Sequence, residues 1–376
     1  MRKRYPTKSL LFIAVTILLF AIASCKKNNN SNGSTSPVNA TPTKLGLYEI
    51  DSSIYKLLYI GITKIGNQDL TNANFGALLF DTGSGGMVID ADSLVSSSMI
   101  TSSGFNFTGD SVVVNGITIT NQTSIVEYGD DDASIDKVYG NLAYASVTIG
   151  DSFGNIVVKR LPFFLYYKAV DASNKPWPPH EFDTFGVSSE YDISFKNGAF
   201  ITSPFSNFDP GTGLTKGFKM AALGTSNFSL QGNDVPNVLT LGLTADDLSS
   251  SSGFTMSQLN FISGDGYAPV IPANITYNNK TVSSEVIFDT GTEPYSYIED
   301  PTFKGATTLL PSSTSISTVT TSGFTYSFTT SATNNLTYVE NPNTSGGDVS
   351  IMSLDYFINN EYLLDFTDHK MGLKNN

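Results

Sequence analysis

Ala77-Leu78-Leu79-Phe80-Asp81-Thr82-Gly83-Ser84 decides the reading of this chain, because Glu285-Val286-Ile287-Phe288-Asp289-Thr290-Gly291-Thr292 echoes it 208 residues later. Each copy runs from an apolar strand to a carboxylate, a glycine turn and a hydroxyl. A single Asp-Thr-Gly reads as an ordinary turn, since Asp and Gly are common turn residues. Two copies with matched flanks read as corresponding positions in a duplicated lobe, because the period is far longer than that of a solenoid repeat.

The residue types suit acid–base chemistry. Gly83 and Gly291 permit turns that a side chain would obstruct. Ser84 and Thr292, three residues beyond each aspartate, can turn back onto the carboxylates, while Thr82 and Thr290, pointing the other way, can tie the two loops together. Two buried carboxylates brought close cannot both ionise cheaply, so Asp81 and Asp289 should share one proton. Such a pair can hold a water, one member acting as base while its protonated partner donates to a carbonyl. This chemistry needs no metal, cysteine or cofactor.

Outward from the two motifs, short runs rich in Val, Ile, Thr, Tyr and Phe alternate with Gly, Asn, Asp and Ser clusters, as at Tyr59-Ile60-Gly61-Ile62, Ser111-Val112-Val113-Val114 and Val238-Leu239-Thr240-Leu241. That pattern predicts an all-β fold. The best helix candidate, around Leu354 to Phe357, is short. About 330 residues beyond the tether exceed what one core usually holds. The expected division is therefore a first lobe over 46–215 and a second over 216–376, the break falling near Pro210-Gly211-Thr212-Gly213.

The N-terminus points to export. Arg2, Lys3, Arg4 and Lys8 precede an apolar run from Leu10 to Ala23, the charge layout of a signal peptide over residues 1–24. Ile22-Ala23-Ser24-Cys25 resembles the lipobox of bacterial lipoproteins, which makes Cys25 the expected lipidation site. It is the only cysteine, so none remains for a disulfide or a thiolate nucleophile. Residues 25–45, rich in Ser, Asn, Gly, Thr and Pro, read as a flexible tether. The expectation is an exported lipoprotein, held by its lipid at the outer membrane on the periplasmic or cell-surface face. Cleavage before Cys25 removes four of the 21 Lys and Arg and none of the 34 Asp and Glu, leaving a formal charge of −17. Such a charge argues against nucleic acid as a partner.

From about Leu47 to Leu373 the chain resembles the pepsin-like aspartic peptidases. Leu79-Phe80-Asp81-Thr82-Gly83-Ser84 and Ile287-Phe288-Asp289-Thr290-Gly291-Thr292 look like that family's two active-site motifs, in order and in flanking apolarity. Ile125-Val126-Glu127-Tyr128-Gly129 resembles its flap, with Tyr128 as the flap tyrosine. Thr184-Phe185-Gly186 resembles the triplet beneath the first aspartate, Leu239-Thr240-Leu241-Gly242 a strand opening the second lobe, and Tyr362 to Leu373 the closing strands. The resemblance implies a bilobal β fold with a cleft between related lobes. It further implies an aspartic endopeptidase, acting as a monomer on peptide or protein substrates, with Asp81 and Asp289 as the catalytic pair and Tyr128 and Gly129 over the substrate.

The chain departs from the family pattern in four places. The second triplet reads as Met352-Ser353-Leu354, with Leu354 in place of a glycine. Val88 stands near where many members keep a tryptophan supporting the flap tyrosine. Glu293 adds a carboxylate after the second motif, able to raise a neighbour's pKa or to face solvent. No basic pro-segment is visible. Asp130-Asp131-Asp132 lacks the spacing of a calcium loop and reads as a solvated turn. His180 and His369 read as surface residues, because no nucleophile-elbow pattern accompanies either. Trp177, in Pro176-Trp177-Pro178-Pro179, either packs on the first lobe or rims the cleft. Two rival functions stay open: a pepsin-fold protein that binds without cleaving, favoured by Leu354 and Val88, and an unrelated β-rich glycan-binding surface lipoprotein.

Overall fold

The computed structural model describes residues 40–51, 55–73, 75–129, 135–191, 193–224 and 228–376. The signal segment, Cys25, most of the tether and Asp130, Asp131 and Asp132 lie outside them. Alternating apolar residues produce strands almost throughout. The segment Ile271–Tyr277 alternates buried and exposed without a break, as expected of a strand with one face on a core. The helix expected near the C-terminus is short, Asp355–Asn359, beginning just after Leu354.

Two large sheets organise the described residues. In the first lobe Ala77–Asp81 runs parallel to Thr184–Val187, which in turn pairs antiparallel with Gly85–Asp90. The second lobe repeats this arrangement: Lys280–Phe288 runs parallel to Ser350–Met352, which meets Tyr295–Glu299 antiparallel. The duplication heard in the two motifs is thus also a duplication of strand topology. Two strands are far longer than the sequence suggested, Asp136–Asp151 and Gly154–Val170, and they form one bulged hairpin.

The larger sheet does not stop at the lobe. From Lys56–Ile65 it passes to Thr43–Asp51, whose start lies inside the stretch read as tether, and then to Asn233–Leu243, Thr215–Met220 and the C-terminal strands Asn360–Asp365 and Lys370–Asn375. The core is rich in aromatic side chains. Phe218 contacts Phe80, Phe205, Tyr362 and Phe366, so one ring from the strand near the expected lobe break packs against residues from both halves of the chain. Burial of such rings is the dominant favourable term in holding the halves together.

Candidate active site

Each lobe presents its aspartate in the same way. Phe80 and Phe288, fully buried, anchor the last strand residue before each turn. The turn brings the Gly83 N–H to Asp81 Oδ1 at 2.7 Å and the Ser84 hydroxyl to Oδ2 at 2.6 Å. In the second lobe the Gly291 N–H donates to Asp289 Oδ1 at 2.8 Å and Thr292 Oγ1 to Oδ2 at 2.5 Å. Both carboxyls are only 1% exposed, which would be prohibitive without these donors.

The two turns are locked across the lobe interface. Thr82 Oγ1 donates to the Phe288 carbonyl at 2.8 Å and accepts from the Thr290 N–H at 3.0 Å. Thr290 Oγ1 does the same with the Phe80 carbonyl and the Thr82 N–H, at 2.7 and 3.1 Å. The glycines cross in a similar manner. A Cβ on Gly83 would lie 2.6 Å from Asp289 Cγ, and one on Gly291 would lie 2.7 Å from Asp81 Cγ. Each glycine therefore makes room for the opposite carboxylate. Burial, the neighbouring charge of Asp289 and a hydrogen bond with its carboxyl hold the Asp81 proton well above the usual carboxylate range, against the opposing effect of the Ser84 hydroxyl.

Strand register revises one reading. Gly186 lies opposite Asp81 in the first lobe, and a Cβ there would meet the Ser84 carbonyl oxygen at 2.6 Å. In the second lobe Met352 lies opposite Phe288, so the next pair is Asp289 and Ser353. The residue equivalent to Gly186 is Ser353, not Leu354. Leu354 belongs to the core at the start of the short helix. Ser353 is buried and satisfied: its N–H donates to Ser296 Oγ at 3.0 Å, and its hydroxyl accepts from the same oxygen at 3.2 Å.

Glu293 does not turn to solvent. Its Oε1 is buried without a hydrogen-bond partner. Burial, reinforced by the charge of Asp355 and countered by Lys56, pushes its carboxyl up to about 8. Lys56 itself is paired to Asp355 at 2.6 Å. Neither Lys56 nor Asp355 stood out in the sequence, because they are 299 residues apart.

Tyr128 ends the strand Ile117–Tyr128, and Gly129 follows at φ 124°. Its partner strand in the hairpin begins at Asp136. The Tyr128 ring stacks on Phe182, and Trp177 meets Phe182 edge-on. Trp177 thus packs on the first lobe beside the hairpin.

The histidines are half-buried rather than surface residues. His180 Nδ1 pairs with Asp183 Oδ2 at 2.8 Å, and the ring stacks on Phe75 at 4.6 Å. His369 stacks on Tyr267 at 3.5 Å. His180 Nε2 has no hydrogen-bond partner, so no hydroxyl nucleophile stands beside it. Among the described residues no group of three or more His, Cys, Asp or Glu side chains is arranged to hold a metal ion.

No family model matches the sequence, and no curated protein matches it. Solved structures do match. An aspartic proteinase from Irpex lacteus superposes with a TM-score of 0.54 at 17% identity, over 89% of this chain and 97% of that one. Basic 7S globulin from soybean superposes with a TM-score of 0.53 at 11% identity, over 89% and 95%. At these identities the likeness establishes the fold: the chain has the all-β, two-lobed fold of the pepsin-like aspartic proteinases. One of these neighbours is named as a proteinase and the other as a globulin, so the fold by itself does not assign catalysis.

Proposed function

We propose that the protein is an aspartic endopeptidase that hydrolyses peptide bonds with a water activated by Asp81 and Asp289. The observation that carries this reading is the crossed arrangement of the two turns, in which each buried carboxyl has its own hydroxyl donor and its own glycine from the opposite lobe. With the shared proton on Asp81, the Asp289 carboxylate accepts a proton from water as its oxygen attacks the scissile carbonyl carbon. Asp81 protonates the carbonyl oxygen. Collapse of the tetrahedral adduct breaks the C–N bond, the amine leaving with a proton returned by the pair. In this reading the substrate is an extended peptide lying between the lobes, Tyr128 and Gly129 contact it, and the protein acts as a monomer. Tethering through a lipid on Cys25 at the outer membrane, on an exported chain, belongs to the same proposal and rests on the N-terminal sequence alone.

The test is incubation of the purified protein with a denatured protein substrate between pH 3 and 7, with and without pepstatin. Cleavage blocked by pepstatin and absent in Asp81→Asn is the expected result. Cleavage that survives both changes overturns the role of the pair. A second reading, a protein of this fold that binds without cleaving, has its support in the globulin neighbour. It would be adopted if a folded wild-type protein cleaved nothing at any pH.

A further inference from the structure

Tyr128 and Asp136 face each other across the hairpin, one on each strand at the same level. The loop between the strands Gly154–Val170 and Thr184–Val187 touches both. Phe182 stacks on the Tyr128 ring with centroids 5.3 Å apart and planes 21° from parallel. Trp177 meets Phe182 edge-on at 5.9 Å and donates its indole N–H to Asp136 Oδ1 at 2.9 Å. The hairpin is gripped from one side by a stack on one strand and a hydrogen bond on the other.

The loop that applies this grip is itself fastened. Asp171 Oδ1 accepts the N–H groups of Ser173 and Lys175, both at 2.8 Å, and the Trp177 N–H reaches the Ala169 carbonyl at 3.1 Å. Further on, the His180 N–H donates to Asp90 Oδ2 at 3.0 Å, and Asp183 Oδ1 accepts the Asp90 N–H at 2.8 Å. Val88 lies in the cluster against which Tyr128 and Phe182 pack, and it offers only an aliphatic surface. The aromatic contact on Tyr128 therefore comes from the distant loop rather than from the strand beneath.

We infer that Phe182 and Trp177 are positioning residues that fix Tyr128, and with it the start of the hairpin turn, in the place where it meets an extended peptide ligand. The inference that Tyr128 meets peptide rests on the endopeptidase reading; the grip itself does not. Trp177 is the only tryptophan in the chain, so its fluorescence reports on the grip directly.

Two measurements on the full protein test this. In the first, acrylamide quenching of Trp177 is compared in wild type, Phe182→Leu and Asp136→Ala, each variant keeping the tryptophan. Both substitutions should raise the quenching constant about twofold, as the indole loses one of its two holds. Quenching unchanged in both variants overturns the grip. In the second, peptide cleavage is measured. Phe182→Leu should raise KM by about threefold to tenfold with kcat little changed, the signature of a lost uniform contact. Phe182→Tyr, which keeps the ring, should restore the wild-type KM. Wild-type KM in a folded Phe182→Leu protein overturns the positioning role. If Phe182→Leu does not fold, Asp136→Ala carries the kinetic test with the same expected direction. If the wild-type protein cleaves no peptide, the endopeptidase reading fails while the quenching result still decides the grip.

Discussion

Thr82 and Thr290 hold each other: each hydroxyl donates to the carbonyl preceding the opposite aspartate and accepts the other threonine's N–H. All four bonds are buried. Thr82→Val keeps the shape and removes two of them, stranding the Phe288 carbonyl and the Thr290 N–H. The expected cost is about 1–3 kcal/mol in urea unfolding, with Thr82→Ser close to wild type. Peptidase activity should fall by up to about a hundredfold, because the aspartates lose their mutual alignment.

Gly83→Ala should act more on the site than on the fold. Its Cβ would sit 2.6 Å from Asp289 Cγ, so the carboxylates must separate or the turn must shift. Overpacking of this kind costs about 1–3 kcal/mol. Peptide cleavage should drop by about a hundredfold or more while the circular dichroism spectrum stays that of wild type. Gly291→Ala should match it, since the geometry is reciprocal.

The two positions beneath the aspartates should respond unequally. Gly186→Ala drives a Cβ against the Ser84 carbonyl oxygen and hydroxyl, disturbing the donor to Asp81. Ser353→Ala removes only the exchange with Ser296, worth about 1 kcal/mol. Thermal unfolding and kcat measured on both variants should place Gly186→Ala well below Ser353→Ala in each.

Glu49 makes stability depend on pH. It is fully buried, neither carboxylate oxygen has a hydrogen-bond partner, and burial pushes its carboxyl from 4.5 up to about 8. Between those values the folded chain keeps a proton that the unfolded chain releases, so stability falls as pH rises and the loss is complete above about 8. Urea midpoints from pH 4 to 9 should therefore decline in wild type and decline less steeply in Glu49→Gln. Glu293, raised in the same direction, should supply part of the slope that remains.

His180 adds to the same downward trend. Burial pulls its imidazole down, but the hydrogen bond and charge of Asp183, with Asp90 and Asp92, outweigh this and leave it raised. Its contribution is therefore present in acid and lost as pH rises through the folded value. Trp177 quenching should increase over that interval in wild type and be independent of pH in His180→Gln.

Chemistry that lies within a few residues was legible in the sequence. The hydroxyl three residues after each aspartate, the glycine between them and the matched apolar strands are local patterns, and the structure brings both copies to one place. The triplet Thr184-Phe185-Gly186 was legible for the same reason. Its counterpart was read one residue too late, because three apolar or small residues in a row do not reveal which one faces Asp289; only the pairing of Met352 with Phe288 does. Contacts made by folding were out of reach. Trp177 stood out as a solitary indole, but its acceptor Asp136 is 41 residues away, and Phe182 looked like any apolar residue before a strand. Lys56 and Asp355 were hidden in the same way. The 16- and 17-residue strands of the long hairpin were also missed, since bulges at Tyr139/Gly140 and Ala145/Val147 break the alternation that marks a strand.

The strand Thr43–Asp51 lies between Lys56–Ile65 on one side and Asn233–Leu243 on the other. The first strand of the body is therefore completed by a strand from the second half of the polypeptide. A chain severed after residue 215 would yield two pieces, each with a bare hydrogen-bonding edge of the kind that recruits another strand. Neither piece is a self-sufficient module, yet each carries the template for the other. Co-expressed fragments should find one another and rebuild the sheet as a heterodimer, with the covalent link between the halves serving mainly to raise their local concentration.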